Sequence, residues 1–153
     1  MNMEIVKTTT TPHNYPMSVC LLAYCTLYPG KILVVRRKSN REKLCLPGGK
    51  VQEHESTQEA LIRESLEETG LSIDASEVYP VYAGLCEDDS GNNFYWNTCY
   101  LKRVDSSELS AVALEPELDS HWCSVEEFLE KNAFKVFNSR AIANVAALGI
   151  FNT

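Results

Sequence analysis

The stretch LPGGKVQEHESTQEALIRESLEETGL, residues 46–71, constrains this chain more than any other. A Pro-Gly-Gly bend, open to backbone geometries that side chains forbid, leads into a helix whose two ends are both written in the residues. That helix is expected from about Thr57 to Thr69, with Ser56 or Thr57 as its cap and Gly70 in the stop position. At about 100° per residue, with Glu64 at zero, Glu68 falls near 40° and Glu67 near 300°. Three carboxylates therefore share one face. Ile62 and Leu66, near 160° and 200°, form the expected buried edge, and Ala60, near 320°, is expected beside the acids. Arg63 stands four residues before Glu67, within ion-pair reach.

Like charges at i and i+4, as at Glu64 and Glu68, destabilise a helix by a few tenths of a kcal/mol unless a cation sits between them. Hard oxygen ligands in this spacing suit Mg²⁺ or Mn²⁺, which complete their shells with water and phosphate oxygens. An ordinary solvated helix face is the alternative. The formal net charge of −7 bears on the choice, because an acidic protein repels a phosphate-bearing substrate unless a cation mediates. The same charge argues against nucleic-acid binding through clustered Lys and Arg, so no stable nucleic-acid binding is expected.

The flanking residues read as strands and helices in alternation. SVCLLAYCTLY (18–28) and KILVVRR (31–37) are strand candidates joined by the Pro29-Gly30 turn, and SNREK (39–43) reads as a polar loop. VYPVYAGLCE (78–87) and NFYWNTCYLKRV (93–104) read as a hairpin across DDSGN, and HWCS (121–124) as a short strand. A helix opens at the Ser124–Glu127 capping box, and a last helix is expected to open at Asn138 or Ser139. SSELSAVALEPELDS (106–120) is too mixed for assignment. This order implies an α/β domain with a mixed sheet covered on two faces. We expect a frayed, threonine-rich leader over residues 1–16 and a single domain over 17–153.

The six cysteines, Cys20, Cys25, Cys45, Cys86, Cys99 and Cys123, are scattered without a CxxC pair, as expected of reduced thiols acting as small core residues in a cytoplasm. No secretory signal is expected, since the N-terminus lacks a basic region followed by an apolar one. No apolar run approaches the roughly 20 residues of a membrane helix. A homodimer is compatible with such a chain.

Gly49, Glu55 six positions later, and Arg63-Glu64-Ser65-Leu66-Glu67-Glu68-Thr69-Gly70-Leu71 resemble the Nudix box, GX5EX7REUXEEXGU with U aliphatic. Ser65 departs from the pattern, and a smaller polar side chain there is expected to alter packing more than chemistry. His54 replaces a glycine common before the first glutamate; histidine tolerates left-handed backbone, and it is not read as a ligand. The resemblance implies a Nudix-type, MutT-like α/β/α sandwich with a mixed central β-sheet, a hydrolase that uses Mg²⁺ or Mn²⁺. Its catalytic set would be Arg63, Glu64, Glu67 and Glu68. Glu64 and Glu68 would be the principal metal ligands, Glu67 a further ligand or the partner of Arg63, and the Gly48 carbonyl would complete the protein's share. Glu55 would orient the loop or contact metal-bound water at the substrate. The general base would be a box glutamate or an acid outside it, among Glu87, Asp88, Asp89, Glu115, Glu117 and Asp119.

Arg36, Arg37 and Lys50 are the cations read as best placed for substrate phosphates, and of these Arg37 and Lys50 are the candidates. Phe94, Tyr95, Trp96 and Trp122 offer stacking surface for a base, although strand aromatics more often fill cores. Secondary marks of other Nudix branches are missing: Pro80 comes too early for the ADP-ribose branch, and no tyrosine stands where the dinucleoside polyphosphate branch has one. EPELDSHWCS (115–124) faintly resembles the nucleotide-pool sanitising branch. The expected reaction is cleavage of a nucleoside triphosphate or modified nucleotide to nucleoside monophosphate and pyrophosphate. The alternatives are a hydrolase of a nucleoside diphosphate conjugate such as ADP-ribose or a nucleotide sugar, and a non-catalytic nucleotide sensor on the same fold.

Overall fold

Apolar runs, continuously buried along the central strands, build a mixed sheet in the computed structural model, which describes residues 14–88, 91–105 and 119–152. Seven strands lie among these residues: β1 (Met17–Tyr24), β2 (Lys31–Arg37), β3 (Asn40–Cys45), β4 (Gly48–Lys50), β5 (Tyr79–Glu87), β6 (Phe94–Arg103) and β7 (Ser120–Ser124). The order is β3-β2-β1-β6-β5, with β4 also paired to β1 and β7 to β2. β1 and β6 run parallel from Met17↔Trp96 to Tyr24↔Arg103, while β5 and β6 form an antiparallel hairpin.

β1 and β2 meet at a single register pair, Tyr24↔Ile32. Toward the start of β1 they part, and β4 takes over that edge, with Cys20 opposite Gly48 and Ser18 opposite Lys50. This parting of two neighbouring strands opens the space in which a site can form.

Side chains alternate across the sheet. Val19, Leu21 and Ala23 of β1 join Ala60 and Leu61 of helix α1 (Thr57–Thr69) in one core. Cys20 and Leu22 face the other way, toward Phe128 of α2 (Val125–Lys131) and Phe137, Ala141, Ile142 and Val145 of α3 (Lys135–Ala146). Helices thus cover both faces, as the residue order implied. All six cysteines are free thiols, and five of them are buried.

The ends of α1 follow the sequence. Ser56 caps it with a full capping box to Glu59, and Gly70 ends it in the left-handed conformation at φ 78°. Its buried face does not follow. Ala60, Leu61, Ser65 and Thr69 are buried, whereas Leu66 is 54% exposed and Ile62 only partly covered. Ala60, expected beside the acids, is fully buried in the core. The helix is rotated so that the acid-bearing side leans onto β4 and β1, which the wheel alone could not set.

Three further expectations are corrected. Residues 40–43, read as loop, belong to β3, where pairing with β2 outweighs their polarity. The last helix starts at Lys135 and not at Asn138 or Ser139: Phe137 anchors its first turn in the core, and Asn138 is buried, its Nδ2 donating to Asn132 Oδ1 at 3.4 Å. Phe94 and Trp96 are 38% and 39% exposed, on the side of the hairpin facing away from the second core. The segment 106–118 lies outside the described residues.

Candidate active site

Gly48 and Gly49 lock the bend against helix and sheet in two different ways. A Cβ on Gly48 would collide with the backbone carbonyl of Val19, so strand β4 can approach β1 only without a side chain there. A Cβ on Gly49 would sit 2.5 Å from Glu64 Oε1, so the space beside that backbone is filled by the glutamate carboxylate. The Gly48 N–H donates to Glu68 Oε1 at 2.7 Å. Bend and helix are thus joined through both acids.

Arg63 ties the remaining acids together. Its Nε and one terminal nitrogen donate to the two oxygens of Glu55 at 2.8 and 2.9 Å, and another donates to Glu64 Oε1 at 2.8 Å. It also donates to the Lys50 carbonyl at 3.1 Å. Glu67, the partner expected from the i,i+4 spacing, lies farther off at 3.5 Å and is 59% exposed. The Arg63 guanidinium holds the Glu55 carboxyl below the usual carboxylate range, with the Gln52 N–H helping. Glu68 moves the other way: burial pushes it up to about 7, opposed by the Gly48 N–H and reinforced by Glu64.

Glu64, Glu68, Gly48, Gly49 and Lys50 line a cleft of about 370 Å³. Its other walls include Cys20, Asn97, Tyr95, Arg37, Asp88, Phe134 and Asn138. Arg37 lies with its guanidinium 4.9 Å above the Phe134 ring and 4.0 Å from Asp88. Lys50 Nζ is 5.4 Å from the Tyr95 ring. Both candidate phosphate cations therefore reach the cleft, whereas Glu55, Arg63 and Glu67 stand behind or outside it.

Of the acids weighed as base outside the glycine–helix segment, Asp88 is buried in the cleft wall. Glu87 is exposed, Asp119 is exposed and paired with Arg41, and Asp89, Glu115 and Glu117 lie outside the described residues. His54 takes φ 65°, as its backbone tolerance suggested, with its side chain in solvent. Trp122 is core. Asn97, Phe134 and Asn138 were missed by the sequence. A faint signal existed in Asn97, a poor strand former inside an apolar strand.

The donor set fits a hard divalent cation. Among the described residues no three Asp, Glu, His or Cys side chains gather closely enough to hold an ion by themselves. Of the three cleft carboxylates, Glu64 and Glu68 stand together on α1, and Mg²⁺ commonly takes one or two and fills its shell with water and substrate oxygens. Burial raises Glu68, the Glu64 charge adds to the rise, and a cation between the two acids would oppose both.

A family model described as NUDIX domain matches residues 20–145. An ADP-ribose pyrophosphatase of Methanocaldococcus jannaschii is 42% identical over 64 residues, which is 40% of this chain and 38% of that protein. The match thus spans well under half of that relative. A MutT/nudix family protein from Enterococcus faecalis superposes with a TM-score of 0.57 at 23% identity, over 81% of this chain and 47% of that one. A C. elegans Ap4A hydrolase superposes with a TM-score of 0.64 at 15% identity, over 86% of this chain and 96% of that one. At these identities the two structures speak for the fold.

Proposed function

Because this chain belongs to the NUDIX family, we propose that it is a divalent-metal-dependent hydrolase that cleaves a nucleoside triphosphate or modified nucleotide to nucleoside monophosphate and pyrophosphate. The observation that carries this reading is the placement of Glu64 and Glu68 on one wall of the cleft, each seated against the double glycine. When bound there, Mg²⁺ or Mn²⁺ neutralises phosphate oxygens and makes water a better nucleophile at neutral pH. Glu64, Glu68 and the Gly48 backbone would hold the ion, with Glu67 as a further ligand or a partner of Arg63. Arg63 fixes Glu64 from behind and, through Glu55, secures the loop before α1. Arg37 and Lys50 supply positive charge to the substrate's phosphates.

The cytoplasm is the compartment this reading assigns, supported by six free cysteines. Among the described residues no helix is long and apolar enough to cross a membrane. The partners would be small nucleotides and not nucleic acid, and a homodimer is the assembly to look for in solution. A second reading, hydrolysis of a conjugate such as ADP-ribose, is favoured by the partial match to the archaeal pyrophosphatase.

The test is product analysis over a nucleotide panel that includes ADP-ribose, with Mg²⁺ and with chelator, for the native chain and Glu68→Gln. Monophosphate and pyrophosphate should appear, and chelator or Glu68→Gln should reduce turnover by roughly 100-fold. Inorganic phosphate as the sole product would overturn the cleavage position. Turnover of ADP-ribose but of no triphosphate would select the second reading.

A further inference from the structure

We infer that Lys38 binds the free terminal phosphate of the substrate, and so selects a nucleoside triphosphate over a conjugate whose distal phosphate is esterified. This rests on reading the cleft as a metal-assisted nucleotide site. Strand β2 ends at Arg37, and its register with β3 shifts between Arg36 and Arg37. In a regular strand successive side chains point to opposite faces, and a register shift re-aims them. Arg36, Arg37 and Lys38 accordingly all line the cleft, with Lys50 as its further cation among the described residues.

Three of these cations are already engaged. Arg36 donates to the Arg41 carbonyl at 3.0 Å. Arg37 lies over Phe134, donates from Nε to Ser39 Oγ at 3.0 Å and stands 4.0 Å from Asp88. Lys50 lies over Tyr95. Lys38 differs: its side chain is exposed, and among the described residues its ammonium makes no hydrogen bond, ion pair or ring contact. A ligand can therefore take this charge without breaking a bond inside the protein. The Lys38 charge also reaches the acids of α1: burial raises the Glu68 carboxyl, and the Gly48 N–H and Lys38 oppose the rise. Lys38 thus stands on the metal side of the cleft, whereas Arg37 and Lys50 are engaged with Asp88, Phe134 and Tyr95.

An ion held by Glu64 and Glu68 takes oxygens of the phosphates it bridges. A flexible ammonium beside it, at the solvent edge, meets the part of the chain that runs on past the ion. In a triphosphate this is a free phosphate carrying close to two negative charges at neutral pH. In a conjugate such as ADP-ribose each phosphate carries a single charge, and the far end is an uncharged sugar. The Lys38 charge has much to meet in the first ligand and little in the second.

The experiment is calorimetry in Mg²⁺ with the non-hydrolysable α,β-methylene analogues of adenosine triphosphate and of ADP-ribose, and with inorganic tripolyphosphate as a ligand without a base. The proteins are the native chain, Lys38→Ala, Lys38→Arg and Lys31→Ala, the last removing an equal charge at the far end of β2. Lys38→Ala should weaken the triphosphate analogue and tripolyphosphate by about tenfold, as for one charge-assisted hydrogen bond, and the ADP-ribose analogue by about twofold or less. Lys38→Arg should bind all three nearly as the native chain does, and Lys31→Ala should alter none of them. Equal weakening of all three ligands in Lys38→Ala, or unchanged binding of the triphosphate analogue and tripolyphosphate, overturns the assignment. So does a loss in Lys31→Ala as large as that in Lys38→Ala. Should neither nucleotide analogue bind the native chain, the nucleotide reading of the cleft fails, and tripolyphosphate alone decides whether Lys38 grips a phosphate chain. A native chain that binds none of the three overturns both.

Discussion

At the scale of single residues the two glycines are not equivalent, although the sequence writes them side by side. Gly48 faces backbone and Gly49 faces the end of a side chain, so alanine should separate a structural from a chemical role. Gly48→Ala is expected to destabilise the fold by at least about 1–3 kcal/mol, since β4 must move off β1. Gly49→Ala should melt near the native temperature, yet displace Glu64 and lower metal-dependent turnover; an unchanged rate would count against the role of Glu64. Ser65 supports a prediction of the opposite sign. Its hydroxyl is fully buried with no hydrogen-bond partner, in a position where the family pattern has an aliphatic residue. Ser65→Ala should therefore stabilise by about 1 kcal/mol, seen as a rise of about 2–4 °C in Tm.

At the scale of elements, α1 is the part most legible from its residues and also the part most misjudged in orientation. Ser56, Glu59 and Gly70 act through bonds within a few positions, which sequence spacing determines. Ser56→Ala should cost about 1 kcal/mol in a denaturant titration, because it leaves the Glu59 N–H without its acceptor. The roll of the helix is different. It follows from the close approach of β4 to β1 and from the seating of Glu68 on the Gly48 N–H, contacts between residues about twenty positions apart or more. The same holds for Asn138, which resembles a cap in sequence and lies inside α3 because Asn132 meets it from the preceding turn.

For the whole molecule the displaced carboxyls of Glu55 and Glu68 act in opposite directions on stability. The Glu55 carboxyl is lowered in the fold, so its contribution is present above the ordinary glutamate range near 4.5 and is lost as pH falls through its folded value. Glu68 is raised to about 7, so its contribution is full below about 4.5 and is lost as pH rises through 7. Metal-free protein should accordingly be more stable near pH 5 than near pH 8. Tm measured against pH in chelator checks this, and Glu68→Gln should flatten the alkaline decline while leaving the acid one. The residues by themselves determined the order of the strands and helices apart from the polar strand β3, the capped acidic helix and the family resemblance, since all depend on local spacing and backbone propensity. Only the tertiary structure decided that Arg63 serves Glu55 and Glu64 ahead of Glu67, and that Asp88, Asn97, Phe134 and Asn138 share one cleft. Those meetings depend on where β1 and β2 part and on how the helices roll, and these are set by long-range packing that no neighbouring residues encode.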